Sequence, residues 1–173
     1  MKPIIGIACI SNNQTIGNKT GELIYQMNHD IKHFQKTTVT TKDPNKKNAV
    51  VMGNSTYKSM EKPLKNRINY VITNNCVLKS ETENLYYYNN ILTCLMDIQS
   101  NENIESIYII GGATIYQLCL DLHLYDELIL SYVHSPVNKT GDVYFPIIDF
   151  YKYYIEKKSD FINVFDKKSQ ENQ

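Results

Sequence analysis

One arginine, Arg67, stands against seventeen lysines in a chain of 173 residues. Its planar, five-donor fork binds a carboxylate or phosphate bidentately, which lysine cannot reproduce; the plainer reading is a solvated surface residue. Asp30 has Met27 three residues before it and Phe34 four after, so on a helix its carboxylate shares a partly apolar face. There it either favours the helix dipole or, desolvated, grips the N–H fork of a heterocycle and assists proton delivery. Ser131 is the only hydroxyl in Leu128–Val133. Buried, it needs a partner, either a carboxylate such as Asp30 or its own backbone. Gly111-Gly112 and Gly53-Asn54-Ser55-Thr56 both follow apolar runs and precede helical ones. Such junctions let a ligand approach the backbone and offer free N–H groups to an anion, or they are ordinary turns and caps. Neither matches GxGxxG or the P-loop pattern. Asp142, after Gly141, reads as a turn residue. His29 and His33 share a helix face, but no third ligand is evident, so no metal is expected. No nucleophile elbow occurs, and Tyr86-Tyr87-Tyr88 lacks the interleaved cations of a nucleic-acid platform.

Eighteen basic and eighteen acidic residues cancel, leaving no global field to hold nucleic acid or an anionic membrane. The length suits one domain with its own core, taken as residues 1–165 with a polar tail over 166–173. The longest apolar run, Ile4–Ile10, is far short of the ~20 residues a membrane helix needs and reads as a buried strand. Lys2 stands alone, and no small-residue cleavage site precedes Asn12-Asn13, which argues against a secretory leader. The cysteines at 9, 76, 94 and 119 form no CxxC pair and no zinc spacing. Cys9, Cys94 and Cys119 read as small core residues, and a reduced, cytoplasmic compartment fits.

The elements that must position these residues alternate. Strands are expected at Ile4–Ser11, Ala49–Gly53, Ile68–Thr73, Leu85–Tyr88, Ser106–Ile110 and Leu128–Val133. Helices are expected after Asn28, over Tyr57–Glu61, over Ile91–Gln99 capped by Asn90, and over Ala113–Leu120. Asn12–Met27 reads as a long loop. The pattern predicts a single-domain α/β fold with a mostly parallel central sheet and helices on both faces. Two late β-rich stretches, Tyr151–Ile155 and Phe161–Phe165, add antiparallel C-terminal strands. Ligands in such sheets bind at the carboxyl ends of the strands.

Taken in order, these residues resemble dihydrofolate reductase over about Ile4 to Pro146. The resemblance is carried by Ile7-Ala8-Cys9, by Thr15-Ile16-Gly17 with Gly21-Glu22-Leu23, and by Asp30 with Phe34. It continues through Val51-Met52-Gly53 with Thr56, Pro63-Leu64 with Arg67-Ile68-Asn69, Ile109-Ile110-Gly111-Gly112 with Tyr116, and Gly141-Asp142 with Phe145-Pro146.

The resemblance implies that dihydrofolate is reduced to tetrahydrofolate by hydride transfer from NADPH to pterin C6, with N5 protonated through water. Asp30 would bind the aminopyrimidine edge, backed by Ser131, with Tyr116 as the third catalytic residue. Ile7, Ala8, Ile31, Phe34, Met60, Leu64, Ile110 and Tyr116 would surround the ring system, and Arg67 would hold the α-carboxylate of the glutamate tail. The cofactor would meet Cys9, Ile16, Gly17, Gly53, Asn54, Ser55, Thr56, Thr73, Asn74, Gly111, Gly112, Ala113, Thr114 and Ile115, with a cis bond between the two glycines. Asn12–Met27 would close as a lid, and a fused or associated thymidylate synthase would be a possible partner. The chain departs from the family in Tyr25 for a loop tryptophan and Ile24 for the proline before it. Asn54, Asn74 and Thr114 stand where relatives place Lys, Arg or Ser, with Thr73 and Lys79 as substitutes, which leaves NADPH against NADH open. Val143 stands where a hydroxyl is common. The family's last strand has no counterpart before the polar tail, so a non-catalytic pterin- or dinucleotide-binding remnant is the alternative. A reductase for another pterin is disfavoured by Asp30 and Arg67 together.

Overall fold

The computed structural model describes residues 1–19, 23–75, 82–134, 141–149 and 151–162. Its elements are β1 (Ile4–Ser11), β2 (Thr15–Gly17), α1 (Asn28–Val39), β3 (Lys47–Gly53), α2 (Asn54–Met60), β4 (Ile68–Ile72), β5 (Leu85–Tyr88), α3 (Ile91–Ser100), β6 (Ile104–Ile109), α4 (Ala113–Asp121), β7 (Glu127–Val133) and β8 (Val143–Tyr144). Six strands form one sheet in the order β5-β4-β3-β6-β1-β7, and every pairing in it is parallel. The expected parallel α/β fold is therefore present.

Alternation along β3 shows how the sheet separates two cores. Ala49 and Val51 pack with Ile107, Ile109 and side chains of α3 and α4. Val50 and Met52 face the other way, with Ile5, Ile7 and Tyr108, and against Phe34 of α1 and Tyr57 and Met60 of α2. Strands apolar on both faces are what a helix-covered parallel sheet demands. Each fully buried Val or Ile contributes roughly 1.5–3 kcal/mol.

The helices differ in how they are held. Asn90 caps α3, its side chain accepting from Thr93 N–H at 3.1 Å. Ile91, Cys94, Leu95 and Ile98 then form one buried stripe. α1 begins at Asn28 rather than after it. Met27 is its N-cap and no side chain caps it. The only fully buried residue of α1 is polar, Thr38.

Several boundaries move. α2 starts at Asn54 rather than Tyr57, and β6 at Ile104 rather than Ser106. Asn12–Met27 is not all loop, because β2 pairs antiparallel with β8. That small ladder is where the antiparallel C-terminal pairing occurs, apart from the central sheet. Tyr151–Ile155 is not a strand. Asp149 forms a turn instead, accepting from Lys152 N–H at 2.9 Å through its carbonyl and from Tyr151 N–H at 3.0 Å through its side chain. β-propensity acts only where a ladder partner exists, and among the described residues none stands beside Tyr151, Tyr154 and Ile155, which are exposed. Phe161 and Ile162 are exposed and outside any strand, and the rest of Phe161–Phe165 lies outside the described residues. So do Gly21, Glu22, Cys76, Lys79 and the 166–173 tail. Among the described residues the sheet ends at β7.

Candidate active site

The inward stripe of α1 is Asp30, Phe34 and Thr38, spaced i, i+4, i+8. Eight residues at 1.5 Å each place its ends about 12 Å apart.

Asp30 is half-buried at one end. The Cys9 thiol of β1 reaches its carboxylate. Burial, the negative charge and the hydrogen bond to Asp30 all push that thiol far up from its ordinary range, so Cys9 stays protonated and donates. Ser131 of β7 lies beside Cys9 in register, but among the described residues no hydrogen bond joins it to Asp30. Cys9 is thus not simply a core residue: it fills the place where a hydroxyl was expected.

Tyr116 is 4% exposed, and its hydroxyl donates to the Ile7 carbonyl at 2.6 Å. Burial, together with Cys9 and Asp30, pushes the phenol far up, so it is a fixed donor. Its ring leans on Phe145 with centroids 4.9 Å apart. Gly111 has φ +108°, and a Cβ there would lie 3.1 Å from the Tyr116 ring. Glycine is therefore required by both conformation and space.

Arg67 lies at the other end of the stripe and is 5% exposed. Its Nη1 donates to Thr38 Oγ1 at 2.8 Å and its Nε to the Lys65 carbonyl at 3.0 Å. The guanidinium carbon sits 5.8 Å from the Phe34 ring centroid, within cation–π range. Burial lowers its pKa, and among the described residues no carboxylate pairs with it. Between the two ends, Phe34, Met60, Leu64 and Ile110 are half-buried around Ile7 in one cluster, together with Tyr57 and Ile129. Ile31 is exposed on α1. Ala8 points into the opposite core, and Ile16 packs against that core as well.

The glycine junctions meet at the carboxyl ends of β3 and β6, which are neighbours in the sheet. Gly53 N–H donates to the Gly111 carbonyl at 2.8 Å, and the Gly111–Gly112 bond is cis. A Cβ on Gly112 would stand 3.3 Å from Thr56 Oγ1, and one on Gly53 3.3 Å from Ile115. α2, with Asn54 and Ser55, and α4, with Ala113 and Thr114, therefore open side by side, and neither start carries a side-chain cap. Their first-turn N–H groups make a cradle for an anion such as a pyrophosphate. α2 packs on one face of the sheet and α4 on the other, which is the crossover geometry where α/β sheets hold nucleotides. Thr73 is nearly buried at the end of β4, its Oγ1 accepting from Asn75 N–H at 3.2 Å, with Asn74 exposed between them. Gly17 belongs to β2. His29 and His33 are both exposed, and no group of three metal-ligating side chains occurs among the described residues.

Sequence reading missed Thr38, Tyr57 and Ile129. Thr38 stands in a polar Thr37-Thr38 pair with no signal of its own, and its partner Arg67 is 29 positions away. Tyr57 and Ile129 show as apolar residues of α2 and β7, but only the packing turns them toward the groove.

A parallel α/β sheet with two glycine–helix junctions at neighbouring strand ends, beside a helix stripe with Asp30 near one end and Arg67 bonded to Thr38 at the other, is the architecture of a nucleotide-binding α/β class. Comparison with known proteins agrees: the dihydrofolate reductase family model matches residues 3–172, and the chain belongs to that family. It is 36% identical over 123 residues to the dihydrofolate reductase of Saccharomyces cerevisiae, covering 66% of this chain and 58% of that protein. It is 31% identical over 114 residues to the dihydrofolate reductase of Drosophila melanogaster, covering 64% and 62%. It is 29% identical over 150 residues to the bifunctional dihydrofolate reductase-thymidylate synthase of Daucus carota, covering 83% and 28%. The matched stretch is thus less than two thirds of each of these relatives.

Proposed function

We propose that the protein reduces 7,8-dihydrofolate to tetrahydrofolate with NADPH. The observation that carries this reading is Asp30 near one end of an α1 stripe about 12 Å long and Arg67 bonded to Thr38 at the other, with the guanidinium over the Phe34 ring. A carboxylate suits an aminopyrimidine edge, and a buried guanidinium without a carboxylate partner suits a tail carboxylate.

Bound NADPH supplies the hydride that saturates the pterin C=N bond at C6. The chain's residues do the rest. Asp30 accepts from the ring's amino edge and fixes its orientation, with Cys9 donating to the same carboxylate. Tyr116 acts as a positioning residue: with its hydroxyl held by the Ile7 carbonyl, it sets the wall where Ile7 and Ile110 meet the ring. Ser131 would back the same carboxylate from β7, where it lies beside Cys9 in register. Phe34, Met60 and Leu64 exclude water from the flat ligand, and Asp30 grips an edge remote from N5, so water delivers that proton. Gly53 to Thr56 and Gly111 to Thr114 would hold the cofactor phosphates on backbone N–H groups, and Ile115, Thr73 and Asn74 would also meet the cofactor. Aligning two reactants in this way is itself a large source of acceleration.

Free thiols at Cys9, Cys94 and Cys119 support a reduced, cytoplasmic setting, and no described helix is long and apolar enough to cross a membrane. We take residues 1–165 as one domain. The carrot relative's name supports a thymidylate synthase as the protein partner to look for first. The test is dihydrofolate-dependent loss of NADPH absorbance by the purified chain. Turnover is expected. Folded protein that binds NADPH and an antifolate without turnover would establish a binder instead.

A further inference from the structure

We propose that Thr38 is a positioning residue for tail recognition: its hydroxyl orients the Arg67 guanidinium so that the remaining donors face the groove. The inference rests on the dihydrofolate reading given above.

Thr38 is fully buried yet polar. Its hydroxyl donates to the Phe34 carbonyl at 2.8 Å, a bond that uses its single proton. The oxygen is left as an acceptor, and Arg67 Nη1 donates to it at 2.8 Å. The hydroxyl can therefore hold the guanidinium in only one sense. Nε is taken by the Lys65 carbonyl, so two of the five N–H donors are committed and both of those on Nη2 remain. The guanidinium carbon lies over the Phe34 ring. Three donors, two of them on Nη2, are left for a carboxylate.

Thr38 is itself pinned. Asn48, fully buried in β3, donates through Nδ2 to the Thr38 carbonyl at 3.1 Å and the Thr40 carbonyl at 2.9 Å. Its Oδ1 accepts from Ser106 N–H at 3.1 Å. The last turn of α1 is thus bolted to the sheet by polar bonds, and the hydroxyl that aims Arg67 inherits that rigidity. A threonine whose role was only to fill space would not need both its donor and its acceptor spent in this way.

The test is equilibrium binding by calorimetry of methotrexate and its α-carboxamide, which differ only in the tail charge. Thr38→Val keeps the shape and removes the hydroxyl; Thr38→Ser restores it. In wild type the acid is expected to bind at least tenfold tighter than the amide. Thr38→Val should cut that preference about tenfold, Thr38→Ser should return it, and in an Arg67→Lys background Thr38→Val should change it no further. An undiminished preference in folded Thr38→Val overturns the proposal, as does equal binding of acid and amide by wild type. If Thr38→Val does not fold, Thr38→Ala takes its place: an undiminished preference in folded Thr38→Ala overturns the proposal, as does lost preference in Thr38→Ser with unchanged melting. If the preference responds as expected while wild type never oxidises NADPH with dihydrofolate, the reductase reading fails and this inference stands.

Discussion

α1 and α3 lie on opposite faces of the same sheet and are built to opposite ends. α3 is capped by Asn90 and sends four apolar residues into a closed core. α1 has no side-chain cap, buries a single polar residue completely, and is held at its last turn by Asn48. One helix supplies stability. The other leaves Asp30, Phe34 and Thr38 in place as a wall and relies on the sheet for its own. The strands alternate their side chains between these two duties, so both sets are encoded in the same few residues.

Substitutions that separate stability from turnover test this division. Asp30→Asn should lower kcat by about 10²- to 10⁴-fold while the melting temperature changes little; equal losses in both would erase the contrast. Ile98→Ala, in the α3 stripe, should cost about 2–5 kcal/mol in a denaturant titration, with KM for both substrates near wild type in the folded protein. Arg67→Lys should raise KM for dihydrofolate about tenfold or more, since a single ammonium replaces a bidentate fork, and leave kcat close to wild type. Glu105→Gln should have the smallest effect. Glu105 accepts from Lys42 N–H at 2.8 Å and Asp43 N–H at 2.9 Å, and these bonds hold its carboxyl below the usual range. A lowered folded pKa contributes stability above the ordinary carboxylate range that is lost as pH falls through the folded value. Wild type should therefore exceed the variant slightly at pH 7, and the gap should close below about pH 4. A gap that widened in acid would refute the assignment.

Strands β1, β3, β4, β5 and β7 and helices α3 and α4 were legible because burial on both faces or on one stripe writes itself as unbroken or periodic apolar sequence. The two glycine junctions and Arg67 were legible by type. What escaped depended on a distant partner. Nothing near Thr38 points to Arg67, and nothing near Thr15–Gly17 points to Val143–Tyr144. Cys9 looked like packing because its neighbour Asp30 belongs to another element. Tyr151–Ile155 misled for the reverse reason: strong β-formers without a ladder beside them fold locally around Asp149.

The order in which the sheet is assembled bears on synthesis. β1 emerges first, yet its neighbours are β6 and β7, made about a hundred residues later. The stretch after β1 waits longer still: Gln14 accepts from Phe145 N–H at 2.8 Å, and Lys19 N–H donates to Asp142 at 2.8 Å. A growing polypeptide therefore carries Ile4–Ile10 as an unpaired, aggregation-prone ribbon until β6 and β7 have been made. The stretch that flanks Tyr116 is completed only once Asp142 and Phe145 have been made.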